Sequence, residues 1–446
     1  MSEVLEKARG IARRLGEAGH EAYFAGGCVR DRLLGRTPKD IDIATSARPG
    51  EVQRLFRRTL AVGKAFGVIV VLDGEDAFDV ATFRTDGAYG DGRRPDEIVF
   101  STAVEDVRRR DFTINGLLQD PSTDEVIDHV GGVADLERRV IRTIGDARER
   151  FGEDRLRILR AVRFAARLDF AIDPDTAGAI RELAAHAADP SAERVSGELG
   201  RMWSEADPAG ALRLLEELAL LDVVLPEVAA KAALVGDARL DPEGRGLNAL
   251  ERTRRLLAAR GRGPADLAMV WAVLLEDLVA DPRGESSRPA APARCARAAV
   301  AVLERLRSSR ELMTACAAPV ALRDRLLFPA RPSATRRALL AAREDLDRLV
   351  AFRDLEAVVA DPSRVVPRLA IAPAPLPAPL LRGNELAALG VPKGPSMGRV
   401  LRRLRVEQLE GRVATADAAR DWSARGSRAR TSFRAARWSA RPGAPR

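Results

Sequence analysis

The stretch FAGGCVRDRLLGRTPKDIDIATS, Phe24 to Ser46, carries three signals in sequence order. An apolar run ends in the pair Gly26–Gly27. A short helical pattern containing Arg30 follows, and then two acids, Asp40 and Asp42, flank one isoleucine. A glycine pair between a strand and a helix start lets the backbone approach a phosphate, with the amides of Cys28 to Arg30 facing it. DIDIAT reads as a strand, and on a strand residues i and i+2 share a face. Two carboxylates so placed repel, and one would take up a proton unless a cation lies beside them. Mg²⁺ suits the position, because it takes a few carboxylate oxygens and completes its shell with phosphate oxygens and water. A third acid is expected on a neighbouring strand, and Asp79 in AFDVATFR fits, followed by Arg84. A lone Asp-x-Asp has another reading, a solvated turn; the glycines, Arg30 and Asp79 favour a metal-assisted nucleotide site.

Around this stretch, residues 1–145 mix two periodicities. Leu5, Ala8, Ile11, Ala12 and Leu15 mark an opening helix, AYFAG a strand, VRDRLLG a short helix, and FGVIVVLDGEDAFDVATFR two strands joined by DGED. Beyond Ile144 nearly everything has helical period, with breaks at Pro174, Pro190, Pro226, Pro242 and Pro282. The expected fold is α+β: a small mixed-sheet head followed by an elongated all-α neck, body and tail. The boundaries drawn are 1–145 for the head, 146–205 for the neck, 206–370 for the body and 371–425 for the tail. GESSRPAAPAR at 284–294 reads as a loop and IAPAPLPAPL at 371–380 as an extended linker. Residues 426–446 read as a basic, disordered tail.

With 446 residues the chain is too long for one core. Its net charge of +8 suits a polyanionic partner, although a GC-rich genome that favours Arg and Ala codons would also produce it. Three cysteines, Cys28, Cys295 and Cys316, form no paired motif, which excludes a disulfide framework and a cysteine zinc site. No apolar run reaches a membrane-spanning length of about 18 residues, and the N-terminus resembles no leader peptide. The expected compartment is the cytoplasm. Three histidines, His20, His129 and His186, are too few for a His-rich hydrolase site.

GGCVRDRLLG, KDIDIAT, VGKAFGVI, DVATFRTDG, RRRDFTINGLLQD and GEDRLRILRAVRFAARL occur in an order that resembles class II tRNA nucleotidyltransferases and bacterial poly(A) polymerases, within the polymerase-β-like superfamily. The resemblance is dense over about residues 20–200, weak in the middle, and returns in LLRGNELAALGVPKGPSMGRVLRRL. It implies that Asp40 and Asp42 bind catalytic Mg²⁺, with Asp79, where the family more often has Glu, as the supporting acid. Gly27 and Arg30 would hold the triphosphate, with Gly26 and Arg84 also in the nucleotide-binding set. Arg110 would contact the nucleotide, and Asp111 and Asn115 the ribose. Asp154 and Arg157, at i and i+3 of an expected helix, match the amino group and ring acceptor of cytosine or adenine and reject uracil and guanine. Arg160 and Arg163 continue the series, drifting by about 60° per step, toward the triphosphate or the RNA end.

The implied activity is template-independent addition of CMP and AMP to a tRNA 3′ end from CTP and ATP. The alternatives are poly(A) synthesis, A-only or CC-only addition, and a noncatalytic RNA-binding relic. LDPEGRGLNALERTRRLL and WAVLLEDLVADP resemble a degenerate HD phosphohydrolase region, with Asp241, Asn248 and Glu276 where histidines belong and Asp277 retained. That body is expected to be a scaffold and RNA surface without hydrolase activity, with Trp203 and Trp271 in cores. In the tail, Arg399, Arg402, Arg403 and Arg405 are candidate phosphate contacts, and Asn384 stands where the family usually has Asp.

Overall fold

The structure, a computed structural model, describes residues 2–63, 66–86, 98–234, 248–262, 265–279, 292–327, 346–359, 378–409 and 411–424. Asp241, most of the 284–294 stretch, residues 371–377 and the arginines of 426–446 lie outside the described residues. The chain forms two compact units. One is Met1–Ala229 with Gly261–Ala265; the other is Ala230–Arg260 with Asp266–Arg446.

The first unit opens with α1 (Ser2–Glu17), whose Ala8, Ile11, Ala12 and Leu15 form the buried stripe expected of an amphipathic helix. Then come β1 (Ala22–Ala25), α2 (Gly27–Leu33), β2 (Ile43–Thr45), α3 (Pro49–Leu55), β3 (Thr59–Gly63), β4 (Val68–Asp73) and β5 (Asp76–Thr82). A hairpin, β6 (Arg84–Asp86) and β7 (Ile98–Phe100), precedes α4 (Ala103–Arg108), β8 (Leu117–Gln119) and β9 (Val126–Asp128). Among the described residues the main sheet runs β3-β4-β5-β2-β1-β8-β9. It is mixed: β2 pairs with β5 in parallel and every other neighbour is antiparallel. In β5, Phe78, Val80 and Thr82 are buried and Asp79 is exposed, the period-2 alternation of a half-buried strand.

Helices then take over: α5 (Gly132–Arg138), α6 (Ala147–Glu153), α7 (Leu156–Leu168), α8 (Pro174–Glu182), α9 (Ala192–Glu205) and α10 (Pro208–Glu217), with a small β10–β11 pair at Val140–Ile141 and Ala171–Ile172. α4 starts on a reciprocal cap, the Thr102 hydroxyl accepting from the Glu105 amide while the Glu105 carboxylate accepts from the Thr102 amide. Trp203 on α9 is fully buried, as expected of a core residue.

The second unit is helical in its described parts, among them Ala249–Arg260, Leu267–Leu275, Pro292–Arg305, Arg310–Leu327, Leu346–Val359 and Pro395–Leu409. Leu267–Leu275 is apolar nearly all round, and Trp271 within it is 1% exposed, so this helix forms the unit's core. Glu276 and Asp277, at its C-terminal end, face guanidinium groups. Arg252 pairs with Glu276, Asp277 and Glu356, and Arg323 with Asp277. Asn248 accepts from the Glu251 amide at 2.8 Å and so starts the helix that carries Arg252. No described helix is long and apolar enough to cross a membrane.

Candidate active site

A cleft of about 890 Å³ in the first unit is lined by Gly26, Gly27, Arg30, Asp40, Asp42, Asp79, Arg110, Asp111, Asn115, Asp154, Arg157, Arg160 and Arg163. Arg84 is the expected residue outside this lining. Its guanidinium donates to the Phe66 carbonyl at 2.7 Å. Arg84 opens β6, in a separate two-stranded sheet from the β5 strand that carries Asp79.

The acids sit just before β2 rather than in it, which corrects the expected strand by three residues. The alternation survives: Asp40 and Asp42 are exposed while Ile41 is buried. The Asp42 carbonyl accepts from the Ala25 amide at 3.0 Å, which keeps the segment extended against the end of β1. The parallel register sets Ile43 opposite Val80, so one residue further out Asp42 comes beside Asp79. Asp42 keeps a solvent-facing edge but lies low in the cleft, where protein atoms displace much of its water. That desolvation, followed by the charge of Asp79, pushes its carboxyl up to about 6; Arg110 opposes the shift and Asp40 adds to it. A carboxylate crowded in this way gains most from a nearby divalent cation. Among the described residues no three of His, Cys, Asp and Glu could by themselves hold a metal ion. Asp40 and Asp42, with Asp79 beside them, could supply only part of a divalent ion's oxygen shell.

Gly26 adopts φ +72°, and a Cβ there would come within 2.8 Å of Arg110 Nη1. Both the backbone and the close approach require glycine. The Arg30 amide is not free, since it donates to the Gly26 carbonyl as the first bond of α2. The Arg30 side chain is 3% exposed. It donates to Asp31 and, through Nη1 at 2.6 Å, to Asn115 Oδ1. Asn115 Nδ2 donates in turn to Asp111 Oδ1, and Asp111 Oδ2 accepts from Arg160 Nε and Nη2 at 2.8 and 2.6 Å. Arg160 Nη1 also lies 3.8 Å from Glu198, which accepts from Arg163 and Arg201. This chain of charge-assisted bonds runs from α2 to α9 and fixes the cleft walls. Arg30, Asp111 and Asn115 thus present mainly committed atoms.

Burial alone would raise the Asp111 carboxyl, but Arg160, Asn115 and the Phe112 amide outweigh it and hold it at about 2. A folded value below the unfolded one stabilises the protein above about pH 4, and the effect is lost as pH falls toward 2. Asp111→Asn should therefore cost about 2 kcal/mol at pH 7. Parallel urea titrations of both proteins at pH 7 and at acid pH should show that gap narrowing.

The helix expected across residues 152–163 is broken. α6 ends at Glu153, Asp154 is extended at φ −145°, and α7 begins at Leu156. Asp154 Oδ1 accepts from the Leu156 amide at 3.0 Å, an aspartate's competition with helix continuation. Its Oδ2 accepts from Arg194 at 2.7 Å. Arg157 pairs with Glu153 and donates to the Arg109 and Arg150 carbonyls. Asp154 and Arg157 share the cleft without sharing one helix.

Sequence reasoning missed Arg109, Arg167, Arg194 and Arg201, all in the lining. Arg167 extends the series 157, 160, 163 along α7, and Arg194 and Arg201 are two turns apart on α9; that spacing was the available signal. The lining carries nine arginines against five aspartates, an excess of positive charge suited to a polyphosphate.

Residues 22–142 match the family described as the poly A polymerase head domain. Residues 169–231 match the one described as a probable RNA and SrmB-binding site of polymerase A. A solved Bacillus stearothermophilus CCA-adding enzyme, in complex with CTP, is 30% identical; the match covers 97% of this chain and 100% of that one, with a TM-score of 0.62. The chain belongs to the CCA-adding enzyme family. The CCA-adding enzyme of Geobacillus kaustophilus (strain HTA426) is 46% identical over 239 residues, 53% of this chain and 59% of that protein. That of Bacillus subtilis (strain 168) is 44% identical over 223 residues, 50% and 56% of the two chains. The chain thus matches a little over half the length of these curated relatives. Nucleotidyltransferases of this family generally use divalent metals.

Proposed function

We propose that this protein is a template-independent tRNA nucleotidyltransferase that adds CMP and AMP to the tRNA 3′ end, completing CCA from CTP and ATP and releasing pyrophosphate. One observation carries the reading: three aspartates, nine arginines and the Asp154–Arg157 pair line a single cleft in a chain of this family. Asp40 and Asp42, with Asp79 as the supporting acid beside them, would hold Mg²⁺, which supplies positive charge at the triphosphate and makes the attacking hydroxyl more acidic. Gly26 and Gly27 would let the phosphates approach the backbone, with Arg110 above them. Arg30, Asp111 and Asn115 would act as braces behind that surface. Asp154 keeps Oδ1 on the helix start, so Oδ2 would accept the amino group of cytosine or adenine in place of Arg194. Arg157 would donate to the adjacent ring nitrogen in place of its bond to Glu153.

In this reading residues 1–145 form the catalytic head and 146–205 the base-selecting neck. The body, 206–370, and tail, 371–425, would hold the tRNA through phosphate contacts, among them Arg399 and Arg403. The protein would act in the cytoplasm.

The test offers the purified protein tRNAs ending before CCA, after C and after CC, with CTP alone, ATP alone and both together. Full CCA on the first substrate supports the reading. A long A tract would make it a poly(A) polymerase, addition confined to A or to CC would make it a split enzyme, and no product on any substrate would leave an RNA-binding relic.

A further inference from the structure

Two arginines of the cleft hang on one carboxylate that lies outside it. Asp106, on α4, is 2% exposed. Its Oδ1 accepts from Arg109 Nε and Nη2 at 3.0 and 2.7 Å, and its Oδ2 from Arg110 Nη2 and Nε at 2.9 and 3.3 Å. Helical spacing makes this possible: Arg109 and Arg110 stand at i+3 and i+4 from Asp106, so all three share a face at the end of α4. The Arg84 amide approaches Oδ1 at 3.4 Å, and Arg109 Nε also reaches the Arg84 carbonyl at 3.0 Å. Held there, Arg110 places Nη1 where a side chain on Gly26 would otherwise stand, 3.3 Å from the Asn115 carbonyl. The Arg109 carbonyl accepts from Arg157 Nη2 at 3.2 Å. One buried charge thus sets the cation above the glycine pair and also a backbone acceptor of the base-selecting arginine.

We propose that Asp106 is a positioning residue for the incoming nucleotide, acting through Arg109 and Arg110 without touching substrate. The inference rests on the nucleotidyltransferase reading. A guanidinium held bidentately is oriented before the triphosphate arrives, so less freedom is lost on binding. Asp106 serves binding and has no part in the chemical step, so its removal should raise KM and leave kcat nearly intact.

The experiment compares Asp106→Asn, which keeps the shape but turns one acceptor into a donor facing a guanidinium, with the unaltered protein. KM for CTP and for ATP should rise roughly tenfold or more, with kcat within a few-fold, from the loss of bonds to a charged group. Equilibrium titration with CTP should weaken in parallel. Asp135→Asn is the control. Asp135 is equally buried and pairs with Thr113 and Arg142, away from the cleft lining, so KM should stay unchanged. In a double-mutant cycle, Asp106→Asn should add little to the loss caused by Arg110→Ala. If Asp106→Asn does not fold, Asp106→Glu decides, with an intermediate KM supporting positioning. Unchanged KM, a loss confined to kcat, an equal KM rise in Asp135→Asn, or full additivity with Arg110→Ala would each overturn the proposal. Failure of the unaltered protein to bind CTP would instead sink the nucleotidyltransferase reading beneath it.

Discussion

Replacing Asp40 and Asp42 together by asparagine is expected to lower nucleotide incorporation by roughly three to five orders of magnitude, the equivalent of the several kcal/mol of charge stabilisation that a metal site supplies. The fold should survive. Both side chains are exposed, and asparagine keeps their shape while relieving the crowding that pushes Asp42 up to about 6. A folded-state value raised above the unfolded one means that the ionised carboxyl opposes folding at neutral pH. In metal-free buffer the doubly substituted protein should therefore melt no lower than the parent, and slightly higher at pH 7 than at pH 5 by comparison. Adding Mg²⁺ should shift the parent's melting temperature and leave the variant's unmoved. Incorporation at the parental rate would refute the metal assignment, whatever the melting curves show.

The second large effect concerns stability in the helical unit. Arg252→Met should destabilise it by about 3–5 kcal/mol, the usual cost of removing one partner from a buried ion pair. Arg252 is 2% exposed and contacts Glu276, Asp277 and Glu356. Without it, among the described residues, two fully buried glutamates and Asp277 keep Arg323 and Lys231 as neighbouring cations. Burial lowers Lys231 to about 8, so that amine holds its charge less firmly than a free lysine. Burial, together with the neighbouring Glu276 charge, raises Glu356 well above the usual carboxylate range despite Arg252. Glu356→Gln removes a carboxylate that burial already disfavours, and should change stability by under about 1 kcal/mol. Urea unfolding of the two variants should therefore separate widely; equal midpoints would show that the cluster is not the charge-balanced unit described.

This cluster also occupies the region whose sequence resembles a degenerate HD pattern. The sequence shows no histidine beside Asp277, where the HD pattern that it resembles would place one. It does not show what surrounds Asp277. Arg252 and Arg323 come from other helices, and their guanidinium groups meet Glu276 and Asp277 only when those helices pack.

The cleft divides along the same line. Gly26, Gly27, Asp40 and Asp42 were legible because their signals are local: a positive-φ position before a helix start, and two acids at a spacing that sends both to one side. Asp79 was legible because strand alternation makes one acid in an apolar run conspicuous. Those short-range rules, with the motif order, determined the head, the helical remainder and most of the cleft-lining residues. Tertiary structure alone decided the rest. Arg84 was lost because the chain turns onto the β6–β7 hairpin. Asp154 was displaced from its expected helix because its carboxylate starts the next one. Arg194, Arg201 and Asp106 gained their places through pairing across elements, since charge at a distance in sequence acts only when folding brings it within a few ångströms.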